Sequence, residues 1–423
     1  MTSIKVRHKT AVLSAAVAVT LPLVLAACSG GGGSSGTSAS GGSAKSITEI
    51  DYSTSEPNNT AVQTALNNCG KQVGVTISRQ TVPGSSYSQK LLQLASSHTL
   101  PDLLMIDNPG VAQFAALGVL SPLSDYGLTA SGFSSGPTQA GTYQGKLYGL
   151  APSYNTIALF YNKKDLQQAH VAVPATWDQL MSAASALTTP SRYGVAFSGV
   201  ATDESTWQFL PFLWSAGGNE NNLNSSGTVQ ALDLWKKLVS DGSASKSVLQ
   251  WAQEDVAAQF IAGKTAMMVM GNWEIPVLNK ISGMQYGTAP IPAPTAGATV
   301  QVPFGGELWT VPNTGRTASE QAAAKVLKCF TDPASQQYLA TTQQLVPTRL
   351  ALAPSYAAAN PDLSVFISEL KNSRSRTAEL GPKWPTASQA IYTAIQSVIT
   401  GQQSAQTAAA TAASTVKNAT GQS

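Results

Sequence analysis

The sequence predicts an α/β protein built on mostly parallel sheet, and three observations carry that expectation. Short strand-like apolar runs recur between amphipathic segments of helical spacing. The chain has 423 residues, enough for about two to three domains. Hydrophobic residues make up 43% of it, which supplies a sizeable core.

Residues 47–52 alternate apolar and polar as a half-buried strand does. Asn58 or Asn59 then stands where a helix cap belongs. The helix carries Val62, Leu66, Cys69 and Val73 on one stripe and is expected to end near Gly70 or Gly74. Residues 73–77 read as the next strand, 87–96 as a helix and 103–106 as a short apolar strand. Alternation of this kind favours parallel pairing. Beyond about residue 156 the pattern is more helical. Thr176-Trp177-Asp178-Gln179 and Thr317-Ala318-Ser319-Glu320 both have capping-box form. Residues 231–239 and 255–261 read as amphipathic helices, 265–270 as a buried strand and 290–303 as a proline-rich crossover. Residues 404–417 form an Ala/Thr-rich helix, and no internal repeat is visible.

The N-terminus reads as a secretory signal and then a tether. Lys5, Arg7 and Lys9 precede an apolar run over residues 11–27. That run is short for a membrane span. It ends in Leu25-Ala26-Ala27-Cys28, which looks like a bacterial lipobox. Cys28 is then expected to be lipidated and to become the mature N-terminus. Residues 29–44 are nearly all Gly, Ser, Thr and Ala and cannot bury a core. A flexible stretch of that length spans roughly 20–24 Å on average, a tether holding a folded body off the outer face of the plasma membrane.

Charge and chemistry exclude several classes. Charged residues are only 11% of the chain, and the net charge is +3. Without the three leader residues the basic and acidic counts are equal, so nothing resembles the Lys/Arg clusters that neutralise phosphates. Nucleic acid is not an expected partner. His98 and His170 stand outside the leader without metal-ligand spacing. No Gly-x-Ser-x-Gly elbow occurs, and no catalytic pair of carboxylates is recognisable. Gly263-Lys264-Thr265 ends like a phosphate-binding loop, but Ala258 and Gln259 stand where its first glycine belongs. No cofactor, no metal and no catalysis are expected. Cys69 and Cys329 each lie on a helix face turned to a core, in a compartment that permits oxidation. A disulfide between them is expected, with two buried thiols as the alternative.

Ordered segments across nearly the whole mature chain resemble the family 1 extracellular solute-binding proteins, which include the maltodextrin-binding proteins. Pro101-Asp102-Leu103-Leu104 and residues 114–120 resemble the family's first-lobe strand and helix. Residues 161–166 and 174–180 are the most specific stretch. Residues 260–267, Gly271-Asn272-Trp273, Gly305-Gly306-Glu307, 322–327 and Pro347-Thr348-Arg349 follow in order. The resemblance implies a two-lobe, type II periplasmic-binding-protein-like fold, with crossing hinge strands and a ligand cleft between. Lobe one would be residues 46–156 with 306–345, and lobe two 157–305 with 346–423. It further implies a monomer that captures a sugar or oligosaccharide by hinge closure and passes it to the permease of an ABC importer. A peptide, polyamine or other solute is the alternative; a secreted carbohydrate-active enzyme is a more distant one.

Neutral sugars need aromatic faces for their C–H patches and forked polar groups for their hydroxyls. The resemblance places Trp273, Trp207 and Trp384 as cleft aromatics. Trp177, Trp235 and Trp251 fit helix faces or caps and read as structural; Trp214 stays open. Glu56 is expected to end the first strand, where the family presents a cleft residue, and Asp107 to end the strand after Pro101; open α/β sheets hold ligands at such ends. Tyr154 and Asn155 lie at the first crossing, where relatives carry a carboxylate; the amide here implies a different specificity. Gly305, Gly306 and Glu307 lie at the second crossing, the glycines allowing close backbone approach. Arg349 either clamps a hydroxyl pair or bridges the lobes.

Overall fold

The computed structural model of the chain describes residues 44–421. The basic leader, Cys28 and the Gly/Ser stretch up to residue 43 lie outside the described residues.

The first sheet begins with β1 (Ser46–Asp51), α1 (Asn58–Val73), β2 (Thr76–Thr81), α2 (Gly84–Ser96), β3 (Leu103–Asp107), α3 (Asn108–Ala116) and the short β4 (Gly149–Leu150). α1 runs through Val73 because Gly74, at φ 79°, makes the left-handed turn that closes it. The following strand therefore starts at Thr76, later than the apolar pattern suggests. Neither asparagine caps α1. The Glu56 carboxylate accepts from the Thr60 N–H at 3.3 Å instead, and Asn59 Oδ1 accepts from Arg79.

The chain then builds a second sheet from β5 (Ile157–Asn162), α4 (Trp177–Leu187), β6 (Tyr193–Ala196), α5 (Asp203–Ser215), α6 (Ser226–Ser240), α7 (Gln253–Ile261), β7 (Thr265–Gly271) and β8 (Tyr286–Ala289). It returns to the first sheet as β9 (Glu307–Thr310), continues through α8 (Thr317–Phe330) and α9 (Pro333–Gln343), and finishes with α10 (Trp384–Ile399) and α11 (Ala405–Thr420). The five-stranded sheet has the order β2-β1-β3-β9-β4, and the four-stranded one β8-β5-β7-β6.

Strand direction departs from the expected parallel pattern at particular places. β1 runs parallel to β2 and β3, and β7 runs parallel to β6. β9 is antiparallel to β3, and β5 is antiparallel to both β7 and β8. β5 and β9 are the two strands the chain enters after crossing from the other sheet. They start at the edge where β3 and β7 finish, so they run opposite to them.

Local chemistry explains the caps. Thr176 Oγ1 accepts from the Gln179 N–H at 3.3 Å, and Gln179 Oε1 accepts from Ala175 at 2.8 Å, one residue earlier than a standard box. At α8 the expected box is replaced. The Glu320 carboxylate accepts from the Thr314 and Gly315 N–H groups at 2.7 and 2.9 Å, so it tethers the preceding turn rather than Thr317. His98 and His170 are exposed and adopt φ 55°, each turning the chain just after a helix.

Three apolar clusters hold the layers together. One lies under α1 and α8, with Leu66, Val326, Phe330 and Trp309 buried. One fills the second half around Trp235, which meets Phe197, Phe209 and Phe212. The third runs across both sheets, from Ile50 and Ile106 through Tyr154 and Phe304 to Phe160 and Met268. Each such side chain contributes about 1.5–3 kcal/mol when fully buried. Trp177 and Trp235 are structural, as their helix positions suggested. Cys69 on α1 and Cys329 on α8 form a disulfide, which settles the alternative of two thiols.

Polar groups are also buried in the first sheet. Arg79 grips Asp51 with two N–H groups. Glu49, two residues earlier on β1, has both carboxylate oxygens buried without a hydrogen-bond partner and lies 3.8 Å from Arg79. Burial first, and the Asp51 charge second, push the Glu49 carboxyl well above its ordinary range.

Opening the disulfide by Cys69→Ala with Cys329→Ala is expected to cost about 2–4 kcal/mol, because the bond closes a long loop in the unfolded chain; denaturant midpoints check this. With its carboxyl raised, Glu49 keeps its proton to higher pH in the fold than in the unfolded chain, which releases it in the ordinary carboxylate range. Its contribution is therefore complete below that range and is lost as pH rises. Glu49→Gln should raise the thermal midpoint relative to wild type, with the gap widening from pH 5 to pH 8. A gap that stays flat across those scans would mean Glu49 is ionised in the fold.

Candidate functional site

The two passages near residues 155 and 305 run against each other. Asn155 and Gly305 exchange both backbone hydrogen bonds, at 3.0 and 2.9 Å. Only glycine fits at 305. A Cβ there would collide with Asn155 Oδ1 and would stand 2.5 Å from Trp207 Cη2. Gly306 follows at φ 129°, a conformation L side chains avoid. Asn108, fully buried at the start of α3, donates to the carbonyls of Phe304 and Gly306, both at 3.2 Å. The second passage is thereby pinned to the carboxyl end of β3.

Polar groups from four chain segments gather beside this crossing. Asp107 ends β3 and stands in register with Glu307 at the start of β9. Tyr52, just past β1, donates to Glu307 Oε1 at 2.7 Å. Arg376 donates to Asp107 Oδ1 at 2.8 Å and lies over the Trp207 ring, 4.5 Å from its centroid. Burial pushes the Glu307 carboxyl above its ordinary range, opposed by the Tyr52 hydrogen bond and reinforced by the Asp107 charge. Tyr52 is raised well above its usual range, first by burial and then by the Glu307 charge. The site is at the carboxyl ends of β1 and β3, where open α/β sheets hold ligands.

Trp273 joins the site from the second sheet. It follows β7, half-buried, with its ring over Gly271. Its neighbour Asn272 accepts from the Thr156 N–H and donates to the Gln344 carbonyl. That places Trp273 one residue from a direct bond to the first passage, packed against two apolar clusters at once.

The structure thus brings together Asp107, Asn155, Trp207, Gly305, Gly306 and Glu307, with Trp273 adjoining through Asn272. Other expected residues sit elsewhere. Glu56 does not end β1, which stops at Asp51; it is exposed and serves the first turn of α1. Tyr154 has no exposed surface and stacks on Phe304 at 5.5 Å, so it is core. Trp384 is buried at the start of α10 in the second-half core. Arg349 does not clamp the crossing but holds to groups of lobe one. Its Nε donates to the Thr331 carbonyl at 2.8 Å, and its guanidinium covers Phe133 at 4.4 Å. Trp207 is in place, but Arg376 covers one face and leaves the ring 6% exposed. Trp214 is structural, donating to buried Glu220 at 3.0 Å.

Tyr52, Asn108 and Arg376 are missed by the sequence pattern. Tyr52 carried a usable signal, being the residue just past a strand's carboxyl end. Arg376 carried none, because its partners lie 169 and 269 positions away in the chain. Away from the crossing, an open groove of about 560 Å³ lies at the outer edge of the second sheet, lined by Tyr161, Lys163, Asn279, Tyr286 and Asp362. Among the described residues no cluster of three or more His, Cys, Asp and Glu side chains could hold a metal ion, and no helix is long and apolar enough to cross a membrane.

Two α/β layers joined by paired crossings, with aromatic and forked polar groups at the seam, define a two-lobe solute-binding protein. Residues 64–364 match the family of bacterial extracellular solute-binding proteins, and the chain belongs to that family. It is 25% identical over 346 residues to a binding protein of Brucella abortus, covering 78% of this chain and 82% of that one. It is 23% identical over 333 residues to the galactooligosaccharide-binding protein of Bacillus subtilis, covering 75% and 77%. Among solved structures it resembles the GacH receptor of Streptomyces glaucescens, studied unliganded and with acarbose, with TM-score 0.79, 25% identity and coverage of 90% and 99%. A Thermotoga lettingae solute-binding protein bound to tagatose superposes with TM-score 0.80 at 22% identity, covering 89% and 99%.

Gly305→Ala is expected to destabilise the fold by about 1–3 kcal/mol, the range for overpacking a filled site. Urea unfolding checks this. An unchanged midpoint would show that the crossing can open enough to admit a methyl group.

Proposed function

We propose that this chain captures a sugar or oligosaccharide at the crossing and delivers it to the membrane subunits of an ABC importer. The observation that carries this reading is the composition of the seam. Trp273 supplies an aromatic surface, Asn155 an amide, and Asp107, Glu307 and Tyr52 acceptors and donors for hydroxyl groups. The ligands named for the Bacillus and Streptomyces relatives support the same class. Lobe one comprises residues 46–156 with 306–345, and lobe two 157–305 with 346–423. The lobes close as rigid bodies about the passages near residues 155 and 305, the usual behaviour of two-domain binding proteins. Capture uses stacking and hydrogen bonds and breaks no covalent bond. A lipid on Cys28 anchors the monomer outside the cell, and the Gly/Ser stretch gives it reach.

A cationic solute such as a polyamine is the second reading. It is favoured by the two carboxylates, Asp107 and Glu307, standing in register at the seam. Arg376 counts against it, because a guanidinium already answers Asp107.

A thermal-shift screen of the protein against sugars and polyamines at millimolar concentration separates these readings. A ligand selective for the native state adds about 2.7 kcal/mol at one hundred times its dissociation constant. A shift confined to one glycan class supports sugar capture; one confined to polyamines replaces it. Trp273→Ala is expected to weaken binding of the positive sugar by tenfold or more, about 1.4 kcal/mol, and to lower the thermal midpoint of the free protein as well, because the ring packs against two apolar clusters. Unaltered affinity would remove Trp273 from the site.

A further inference from the structure

The segment 373–383 carries two arginines with matched surroundings. Arg374 lies over Trp214 at 4.9 Å and Arg376 over Trp207 at 4.5 Å. The two tryptophans are seven residues apart on α5, two helical turns, and so share one face. The arginines differ in the carboxylates they meet. Arg374 pairs with Glu220 at 3.3 Å and Glu379 at 2.9 Å, both in the second half of the chain. Arg376 pairs with Asp107 at 2.8 Å, at the end of β3 in the first sheet. One arginine therefore anchors the segment to the second lobe, and the other reaches from it to the first.

The position of this reach is also informative. Residues 373–374 pair with 302–303, immediately before Gly305. Trp207 touches the space beside Gly305 and Asn155. The Arg376–Asp107 bond thus spans the seam at the base of the hinge. The Arg376 side chain is only 7% exposed, and its Nε has no hydrogen-bond partner among the described residues. Only the arginine end of this charge-assisted bond is shielded from water, since Asp107 is half-exposed, so its attraction is partly screened. The stack on Trp207 fixes the guanidinium plane, which lysine could not reproduce.

We infer that Arg376 is a positioning residue for lobe closure: a brace held on Trp207 from lobe two that engages Asp107 of lobe one when the hinge is shut. The bond favours the closed form, and any solute that binds the closed form gains affinity from it. The affinity part of this inference rests on the hinge-closure reading above. The lobe-angle part stands without any solute.

The test measures both parts. Spin labels at Leu117→Cys and Val173→Cys, exposed positions in the two halves, report lobe separation by pulsed dipolar resonance in the free protein. Arg376→Met and Asp107→Asn should each lengthen and broaden that distance, and Arg376→Lys should fall between. With maltotriose as probe, each single variant should weaken binding about tenfold. The double variant should be no weaker than Asp107→Asn alone, because Arg376→Met then removes a bond already lost. An unchanged distance in both Arg376→Met and Asp107→Asn would overturn the brace. So would a double variant weakened by the product of the single losses. Asp107 is half-exposed, so Asp107→Asn tests the bond even where Arg376→Met fails to fold. Wild-type protein that ignores maltotriose counts against the sugar probe alone, and the distance measurement then decides the brace.

Discussion

Two backbone hydrogen bonds between Asn155 and Gly305 fasten the two passages of the chain to each other, and the architecture is organised around that contact. Because the chain crosses there twice, each sheet is assembled from segments distant in sequence. β9 enters the first sheet after about 150 residues spent in the second half, and it enters at the hinge edge. Its antiparallel pairing with β3 follows, and so does the register that sets Glu307 beside Asp107. The same geometry makes β5 antiparallel to β7, with Ile157 opposite Gly271. The site is a consequence of the crossing, since the strand ends that carry its polar groups are the ends that meet there.

A chain with few charges uses several of its arginines indoors. Arg79 holds Asp51 beside Glu49, Arg374 holds Glu220, and Arg376 holds Asp107. Buried ion pairs add little net stability, because desolvation offsets most of their attraction, but removing one partner from a pair buried at both ends, as Arg79–Asp51 is, costs about 3–5 kcal/mol. Their effect is directional. Each pair fixes where one segment lies: β2 against β1, residues 373–380 against the loop after α5, and the same segment against β3. The third pair ties that segment to the end of β3 in the first sheet, which is why it bears on closure while the other two bear on folding.

Much of the fold was legible in the sequence because its signals are local. The stripe Val62, Leu66, Cys69 on α1 and the pair Val326, Phe330 on α8 pointed both cysteines at a core, and the helices do pack there. The fully buried β7 was visible as an unbroken apolar run. Caps were read less well. Thr317-Ala318-Ser319-Glu320 has the right spacing, yet Glu320 turns to Thr314 and Gly315, because the preceding turn presents two free N–H groups to it. Asn59 was drawn away from its helix by Arg79, a partner 20 residues on.

The sequence by itself determined the α/β class, the helix stripes, the need for small residues at 305 and 306, and the seam positions Asp107, Asn155 and Glu307. The class and the stripes follow from patterns within a few residues, where backbone geometry and side-chain period act, whereas Asn155, Gly305, Gly306 and Glu307 were placed at the crossings by the family resemblance. Tertiary structure decided what those patterns could not carry. It left Glu56 exposed at a helix start, buried Tyr154 and Trp384, turned Arg349 onto Phe133, and brought Tyr52 and Arg376 to the site. The physical reason is common to these cases. Whether a strand-end residue faces solvent, core or ligand depends on which distant segment packs over it, and a hydrogen-bond partner more than a hundred residues away leaves no periodic trace in the chain.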